Sequence, residues 1–260
     1  MPSPFGRHIL LLVPHPDDEL VACFATIRRA QAEGSKIYAL YLTHGCIARD
    51  VRWPWDRKKH DGHVARRRNE AEQAAKRLNL IPVGWSGRAA RSLRQHMPTL
   101  NTEIRQAMTE HHIDQIWAPA YEGGNPDHDV LNAIVSTLTE NVSVLEFAEY
   151  NFAGGRAHSQ EFPKNNGLET RIRLSPAEQK EKKQALELYV SEQCNLGYVK
   201  TESECFRPIA KYDYSQPPHQ GTLWYARFRW VPFRHPRVDF TDPEEVCQAM
   251  THFLHPSAAA

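Results

Sequence analysis

The chain has 260 residues, and 41% of them are hydrophobic, which is enough to bury one sizeable core. Its 32 Lys and Arg residues nearly balance its 31 Asp and Glu residues, and this small net charge argues against nucleic acid or a membrane surface as the main partner. The five cysteines are scattered and never in C-x-x-C spacing, so they indicate neither a disulfide framework nor a thiolate zinc site.

Signals for export or membrane insertion are missing from the sequence pattern. The amino terminus leads into only five apolar residues, which is too few for the core of a signal peptide. No apolar run approaches the length of a transmembrane helix. We therefore expect a cytoplasmic protein without a membrane span.

The first predicted element is a strand at residues 9–13, an unbroken apolar run typical of a strand buried on both faces. Prolines on either side of His15 end this strand, and Pro16 suits the first position of a following helix. The next three residues are acidic: Asp17, Asp18 and Glu19. One turn thus presents an imidazole and up to three carboxylates, which is typical of a metal site. The alternative is an acidic first helical turn that only caps a helix.

Strand and helix patterns alternate along the first 150 residues. After a helix that ends at Gly34, strands are predicted at 36–42, 83–85, 113–118 and 142–147, and helices at 64–78, 100–111 and 130–139. This order predicts an α/β fold, namely a Rossmann-like, doubly wound, mainly parallel sheet with helices on both faces.

From residue 151 the alternation stops, which predicts a C-terminal α+β addition over about 151–235. It comprises an extended edge segment at 168–174, a helix from Pro176 to about Val190 and an aromatic-rich strand at 223–233. Ser175 and Glu178 match a capping box at the start of this helix. With no repeat or long linker, we expect a single domain over 1–260 with its Rossmann-like core at about 8–150.

A second polar cluster follows the strand at 113–118 and comprises Asn125, Asp127, His128 and Asp129. Open α/β sheets bind ligands at the carboxyl ends of their strands, so both clusters are expected at one edge of the sheet. Two imidazoles and one carboxylate can fill three positions around a divalent ion. The alternative for His128 alone is a helix-start residue satisfied by a backbone carbonyl.

These motifs resemble the LmbE-like/PIG-L family of zinc-dependent de-N-acetylases from residue 8 to about 230. The resemblance is carried by residues 14–19 (PHPDDE), the Arg67-x-x-Glu70 pair, residues 126–128 (PDH) and, more weakly, residues 189–193 (YVSEQ). It implies zinc as the cofactor, with His15, Asp18 and His128 as ligands and Asp17 as the general base. Two histidines and a carboxylate would also suit iron(II).

Three positions depart from the family pattern. Asn125 stands where members usually carry histidine, Phe24-Ala25 replaces a Gly-Gly pair, and Cys46 replaces an acidic residue. An asparagine can donate a hydrogen bond to a carbonyl or oxyanion, but it cannot transfer a proton to the leaving amine. We therefore hold His219 as the candidate acid, with an ordinary loop histidine after two prolines as the alternative.

Further side chains are candidates for the site, and most of them also have a purely structural interpretation. Asp127 can act as an acceptor that orients a histidine ligand. Arg67 either belongs to the site or forms an i,i+3 ion pair with Glu70, and the ion pair is slightly preferred. Tyr121, with the loop tryptophans at 53 and 55, can stack on a sugar ring or only pack. The basic runs at 57–59 and 66–68 are interpreted as solvated surface rather than a nucleic-acid site.

The sequence thus predicts a metal-dependent hydrolase that removes an N-acyl group. By resemblance, the substrate is an N-acetylglucosamine-type sugar or glycoconjugate that loses acetyl. Alternatives are an amidase acting on a thiol conjugate or an antibiotic intermediate, and a metal-binding protein without turnover. An iron oxygenase also suits the ligands, but the Rossmann-like alternation disfavours it.

Overall fold

The computed structural model describes residues 4–256. Its strands are β1 (His8–Val13), β2 (Lys36–Tyr41), β3 (Ile81–Trp85), β4 (Gln115–Pro119), β5 (Ser143–Phe147), β6 (Tyr150–Asn151), β7 (His158–Ser159), β8 (Thr170–Arg173) and β9 (Ser203–Pro208). Its α-helices are α1 (Asp18–Ala32), α2 (His60–Arg77), α3 (Met97–Glu110), α4 (Pro126–Ser136), α5 (Pro176–Leu186) and α6 (Pro243–Leu254). None of the helices in this part of the chain has both the length and the apolar character needed to cross a bilayer.

A seven-stranded sheet with the order β3-β2-β1-β4-β5-β9-β8 forms the centre of the fold. The first five strands are parallel, whereas β9 pairs antiparallel with β5 and β8 pairs antiparallel with β9. Strands β6 and β7 form a separate small ribbon. The prediction of a Rossmann-like, mainly parallel α/β fold is therefore confirmed.

Strand β1 is buried on both faces, as its unbroken apolar sequence predicts. Ile9, Leu11 and Val13 belong to the core on the side of α1, α2 and α5. Leu10 and Leu12 point to the opposite side, into the core that α3, α4 and α6 complete. This alternation follows from the period of two residues along a strand.

The strand order reverses at β1, which has β2 on one side and β4 on the other. This is the topological switch point, where loops from adjacent strands diverge and leave a crevice at the carboxyl edge. The chain leaves β1 into residues 14–17 and leaves β4 into residues 120–125. The two polar clusters therefore emerge side by side.

Several element boundaries differ from the expectations. Helix α1 begins at Asp18 and not at Pro16; Asp17 occupies the N-cap position, but its side chain makes no capping hydrogen bond. Helix α2 begins four residues earlier than expected, and α5 carries the predicted capping box at Ser175. Strand β9 and helix α6 were not predicted.

The strand expected at 223–233 is wrong, because this segment is a series of turns. The backbone amide of Trp224 donates to the Gly123 carbonyl (2.9 Å), and its indole packs against Tyr150 and Tyr198. The aromatic residues that suggested a strand instead pack against aromatic rings of neighbouring loops. The sheet edge is instead filled by β9 and β8.

A buried ion pair between Lys182 and Glu204 fastens helix α1 to α5 and β9. Lys182 Nζ donates to Glu204 Oε1 and to the Val21 carbonyl, both at 2.7 Å. Glu204 also accepts the amides of Ala25 (3.0 Å) and Thr26 (2.8 Å). Both residues are 0% exposed. Water cannot solvate either charge, so each charge is compensated by the other.

We expect Lys182→Met to lower the free energy of unfolding by about 3–5 kcal/mol, because it leaves the Glu204 charge buried without its cation. Urea unfolding measures the loss. Arg28→Ala is the matched control, since Arg28 joins the same two helices through the exposed Glu181 and should cost about 1 kcal/mol or less. Equal effects of the two substitutions would contradict the importance of the buried pair.

Candidate metal centre

The turn after β1 is closed by hydrogen bonds between His15 and Asp18. The His15 amide donates to Asp18 Oδ2 (2.7 Å), and the Asp18 amide donates to the His15 carbonyl (3.1 Å). Between them, Asp17 has a φ of 132°, which is an uncommon backbone conformation for a residue with a side chain. Such a conformation persists only where the surrounding structure holds it, and it is typical of functional turns.

Three predicted ligands converge here. His15 Nδ1 lies 3.2 Å from His128 Nε2 and 3.6 Å from Asp18 Oδ2, and His128 Nε2 lies 3.4 Å from the same carboxylate oxygen. Ligands bonded at about 2.0–2.1 Å to a tetrahedral ion lie roughly 3.3 Å apart. All three side chains are buried, and their donor atoms form a group that can hold a metal ion. The residues therefore fit a divalent metal in both type and spacing.

Each histidine has an acidic side chain on its far side. His15 Nε2 lies 3.0 Å from Asp127 Oδ2, which also accepts the amide of Arg91 (2.6 Å). His128 Nδ1 lies 3.6 Å from Glu149 Oε2. A proton on the far nitrogen of each ring leaves the facing nitrogen with a free lone pair, as a metal ligand requires. Asp127 thus contacts His15 and not the adjacent His128.

The charges around these rings favour a cation. Burial opposes protonation of His15, but hydrogen bonds to Asp127 and Asp18 raise its pKa to about 10. Burial would raise the pKa of Asp18, yet the His128 and His15 rings hold it well below its usual range. The pocket therefore stabilises positive charge between ionised carboxylates, and either a proton or a metal ion can supply that charge.

Asp17 lies beside this group and contacts Arg67. Arg67 Nη2 is 3.5 Å from Asp17 Oδ1, and Arg67 Nη1 is 3.0 Å from Glu192. Burial raises the pKa of Asp17 to about 8, against the lowering effect of the guanidinium. The expected ion pair between Arg67 and Glu70 is wrong, because in residues 4–256 Glu70 instead accepts the amide of Ser191 (3.1 Å).

The remaining predicted residues lie around the edge of the site. Asn125 is the N-cap of α4, and its Oδ1 accepts the Asp127 amide (2.9 Å). Tyr121 is buried and donates to the Gln216 carbonyl (2.6 Å). His219 Nδ1 lies 2.9 Å from the Gln220 carbonyl, while its buried Nε2 has no hydrogen-bond partner in the described part of the chain.

Sequence reasoning missed Glu149 and Tyr150, which lie next to His128. The Tyr150 ring centroid is 6.1 Å from that of His128, and the Tyr198 hydroxyl donates to Glu149 (3.3 Å). Both residues follow the carboxyl end of β5, the neighbour of β4. The rule that located the other clusters at strand ends could have identified them.

With this geometry established, comparison with known families identifies the chain. The family model described as PIG-L, GlcNAc-PI de-N-acetylase, matches residues 10–139, which is half of the 260-residue chain. The chain belongs to the PIG-L (LmbE-like) de-N-acetylase family. The matched region includes β4, most of β1 and all three candidate ligand residues. No curated protein matches the chain.

Solved structures with the same fold include other deacetylases. A deacetylase of the teicoplanin biosynthesis pathway is 17% identical with a TM-score of 0.60, covering 79% of this chain and 99% of its own. The zinc-inhibited form of teicoplanin deacetylase is 17% identical over the same shares, with a TM-score of 0.57. The N,N'-diacetylchitobiose deacetylase of Pyrococcus horikoshii is 16% identical with a TM-score of 0.51, covering 77% and 83%. At these identities the likeness shows a shared fold.

We expect His15→Ala, Asp18→Ala and His128→Ala to abolish binding of one divalent ion per chain, because each removes one of three ligands. Asp127→Asn and Glu149→Gln should weaken metal affinity by roughly 10–100-fold, since they disturb ring orientation only. Elemental analysis and metal titration measure both effects. His8→Asn, at the opposite end of β1, is the control; undiminished metal in all three ligand variants would refute the site.

Proposed function

We propose that this protein is a metal-dependent hydrolase that removes the N-acetyl group from an N-acetylglucosamine-type sugar or glycoconjugate. The observation that carries the proposal is the convergence of His15, Asp18 and His128 inside the family-matched region, with Asp17 adjacent. We further propose zinc as the metal, because the three residues suit tetrahedral coordination with an open position. The sugar substrate is proposed from the family description and from the chitobiose-derived substrate named for one structural neighbour.

Amide hydrolysis needs an activated water, a polarised carbonyl and a protonated leaving amine. A divalent ion held by His15, Asp18 and His128 would supply the acidity for the water and the polarisation for the carbonyl. We assign Asp17 as the acceptor of the water proton; in support, its carboxylate contacts Arg67 and does not belong to the three-residue group. Positive charge at the centre would lower the pKa of Asp17 and favour its ionised, basic form.

The leaving amine needs a proton donor other than Asn125. The oxygen of that amide caps α4, and a neutral amide has no proton to transfer. We propose His219 for this step: its Nδ1–H donates to the Gln220 carbonyl, which leaves the unpartnered Nε2 to carry the acidic proton. Its Nε2 lies close to Gly123, in the loop that leads to Asn125.

We expect Asp17→Asn to keep its metal and to lose turnover by roughly 10²–10⁴-fold, the usual contribution of a general base. The assay is amine release from a panel of N-acetylated sugars and sugar conjugates by metal-loaded protein. Asp56→Asn, in a surface loop where Asp56 pairs with Lys59, is the control. Loss of metal in Asp17→Asn would show that Asp17 is a ligand.

The same assay tests the alternative function that Asn125 suggests. If the wild type retains its metal but releases no amine from any substrate, the result would favour a metal-binding protein without turnover.

For His219 we expect a descending limb in kcat/KM as pH rises, because the acid form is lost on deprotonation. Burial lowers the pKa of His219 below its ordinary 6.5, so this fall should be centred below pH 6.5. His219→Asn should remove the limb, and Asn125→His in that background should restore part of the activity. His63→Asn serves as the control histidine. An unchanged pH profile in His219→Asn would show that the acid is another group.

A further inference from the structure

Arg227 carries a guanidinium that has no carboxylate partner among the residues that the structure describes. Its Cζ lies 3.5 Å from the ring centroid of Trp224 and 4.9 Å from that of Phe228. Its Nη1 is buried and makes no hydrogen bond within residues 4–256. Burial lowers the pKa of this side chain, yet an arginine stays charged at neutral pH. A partly buried cation without a counter-charge is energetically costly, so the position favours an anion from outside the chain.

Three other arginines around these loops have carboxylate partners. Arg67 contacts Asp17 and Glu192, and Arg91 Nε lies 3.2 Å from Asp239. Arg229, two residues after Arg227, lies 3.0 Å from Asp242. An internal ion pair therefore does not account for Arg227. Its stacking on Trp224 orients the guanidinium and leaves the Nε–Nη2 edge, away from the buried Nη1, able to bind two oxygens of one anion.

The position of Arg227 connects it to the metal centre. Trp224 packs against Tyr150 (5.1 Å between ring centroids) and Tyr198 (5.4 Å). Tyr150 in turn packs against His128, and Tyr198 donates to Glu149. A layer of aromatic rings, with Trp224 and Tyr150 in succession, thus lies between the guanidinium and the candidate ligand His128. Aromatic faces in such a layer suit the apolar face of a sugar ring.

We infer that Arg227 binds an anionic substituent, a phosphate or a carboxylate, on the N-acetylated sugar. This inference rests on the proposed deacetylase function and specifies its substrate class. The acetamido group would lie at His15, Asp18 and His128, and the anionic group would lie across the aromatic layer. Arg227 is then a specificity-determining residue that favours acidic sugars over neutral ones.

The test compares three probes that differ only at the anomeric position. They are methyl N-acetylglucosaminide, carboxymethyl N-acetylglucosaminide and N-acetylglucosamine 1-phosphate, assayed for amine release with the metal-loaded, full-length chain. The wild type should prefer the anionic probes. Arg227→Gln should lower kcat/KM for them by about ten- to one-hundred-fold, the effect of losing a charge-assisted hydrogen bond, and leave the neutral probe within about twofold. The anionic probe whose kcat/KM falls more in Arg227→Gln shows whether the preferred substituent is a phosphate or a carboxylate.

Two further variants separate specificity from a structural effect. Arg229→Gln, which removes a nearby arginine that already has a partner, should keep the wild-type preference. Arg227→Lys keeps the charge without the planar fork and should retain part of the preference. Equal preference in the wild type and Arg227→Gln, or no preference in the wild type, would overturn the inference.

A binding measurement distinguishes failure of the inference from failure of the proposed function. Calorimetric titration with N-acetylglucosamine 1-phosphate and with the methyl glycoside needs no turnover. The inference is supported if the wild type binds the phosphate more tightly than the methyl glycoside and Arg227→Gln abolishes this difference. This holds even if no probe is hydrolysed. The difference should also shrink at high salt, because screening weakens an exposed charge contact. Equal binding of the phosphate by the wild type and Arg227→Gln would overturn the inference whatever the activity.

Discussion

The close approach of two imidazole nitrogens is the constraint on which the site depends. His15 Nδ1 and His128 Nε2 lie 3.2 Å apart in a buried pocket, with the Asp18 carboxylate against both. Two lone pairs and an anion at that distance repel one another unless a cation lies between them. Asp127 and Glu149 strengthen the requirement, because they favour protons on the outer nitrogens of the rings. The arrangement therefore favours a positive charge between the rings and the carboxylate, which either a proton or a metal ion can supply.

The sheet topology makes this approach possible without a long loop. Because β1 and β4 are neighbours and the strand order reverses between them, the two ligand segments leave adjacent strands at the same edge. The start of α1 must also stay in place, since it carries Asp18. Lys182 and Glu204 hold the second turn of this helix against the C-terminal addition. Through this contact the later, irregular part of the chain supports the centre.

Departures from the family pattern have local structural consequences. Ala25, in the pair that replaces Gly-Gly, still uses its amide to bond Glu204, so a side chain there is compatible with the buried ion pair. Asn125 caps helix α4, which is a structural role for the position where the sequence departs from the family's usual histidine. The catalytic task of that histidine therefore moves to another group in our proposal. A neighbouring loop supplies both the candidate acid His219 and the candidate anion-binding residue Arg227.

The sequence alone determined the parallel core and the burial of β1, and it predicted the three candidate ligands that the structure brings together. These features follow from local signals: an apolar run, prolines that end a strand and polar residues directly after strand ends. The tertiary structure decided which strands are neighbours, and therefore that Glu149 and Tyr150 join the site. It also decided that Arg67 contacts Asp17 instead of Glu70, and that residues 223–233 form turns. Those outcomes depend on contacts between residues distant in the chain, and local periodicity carries no information about such contacts.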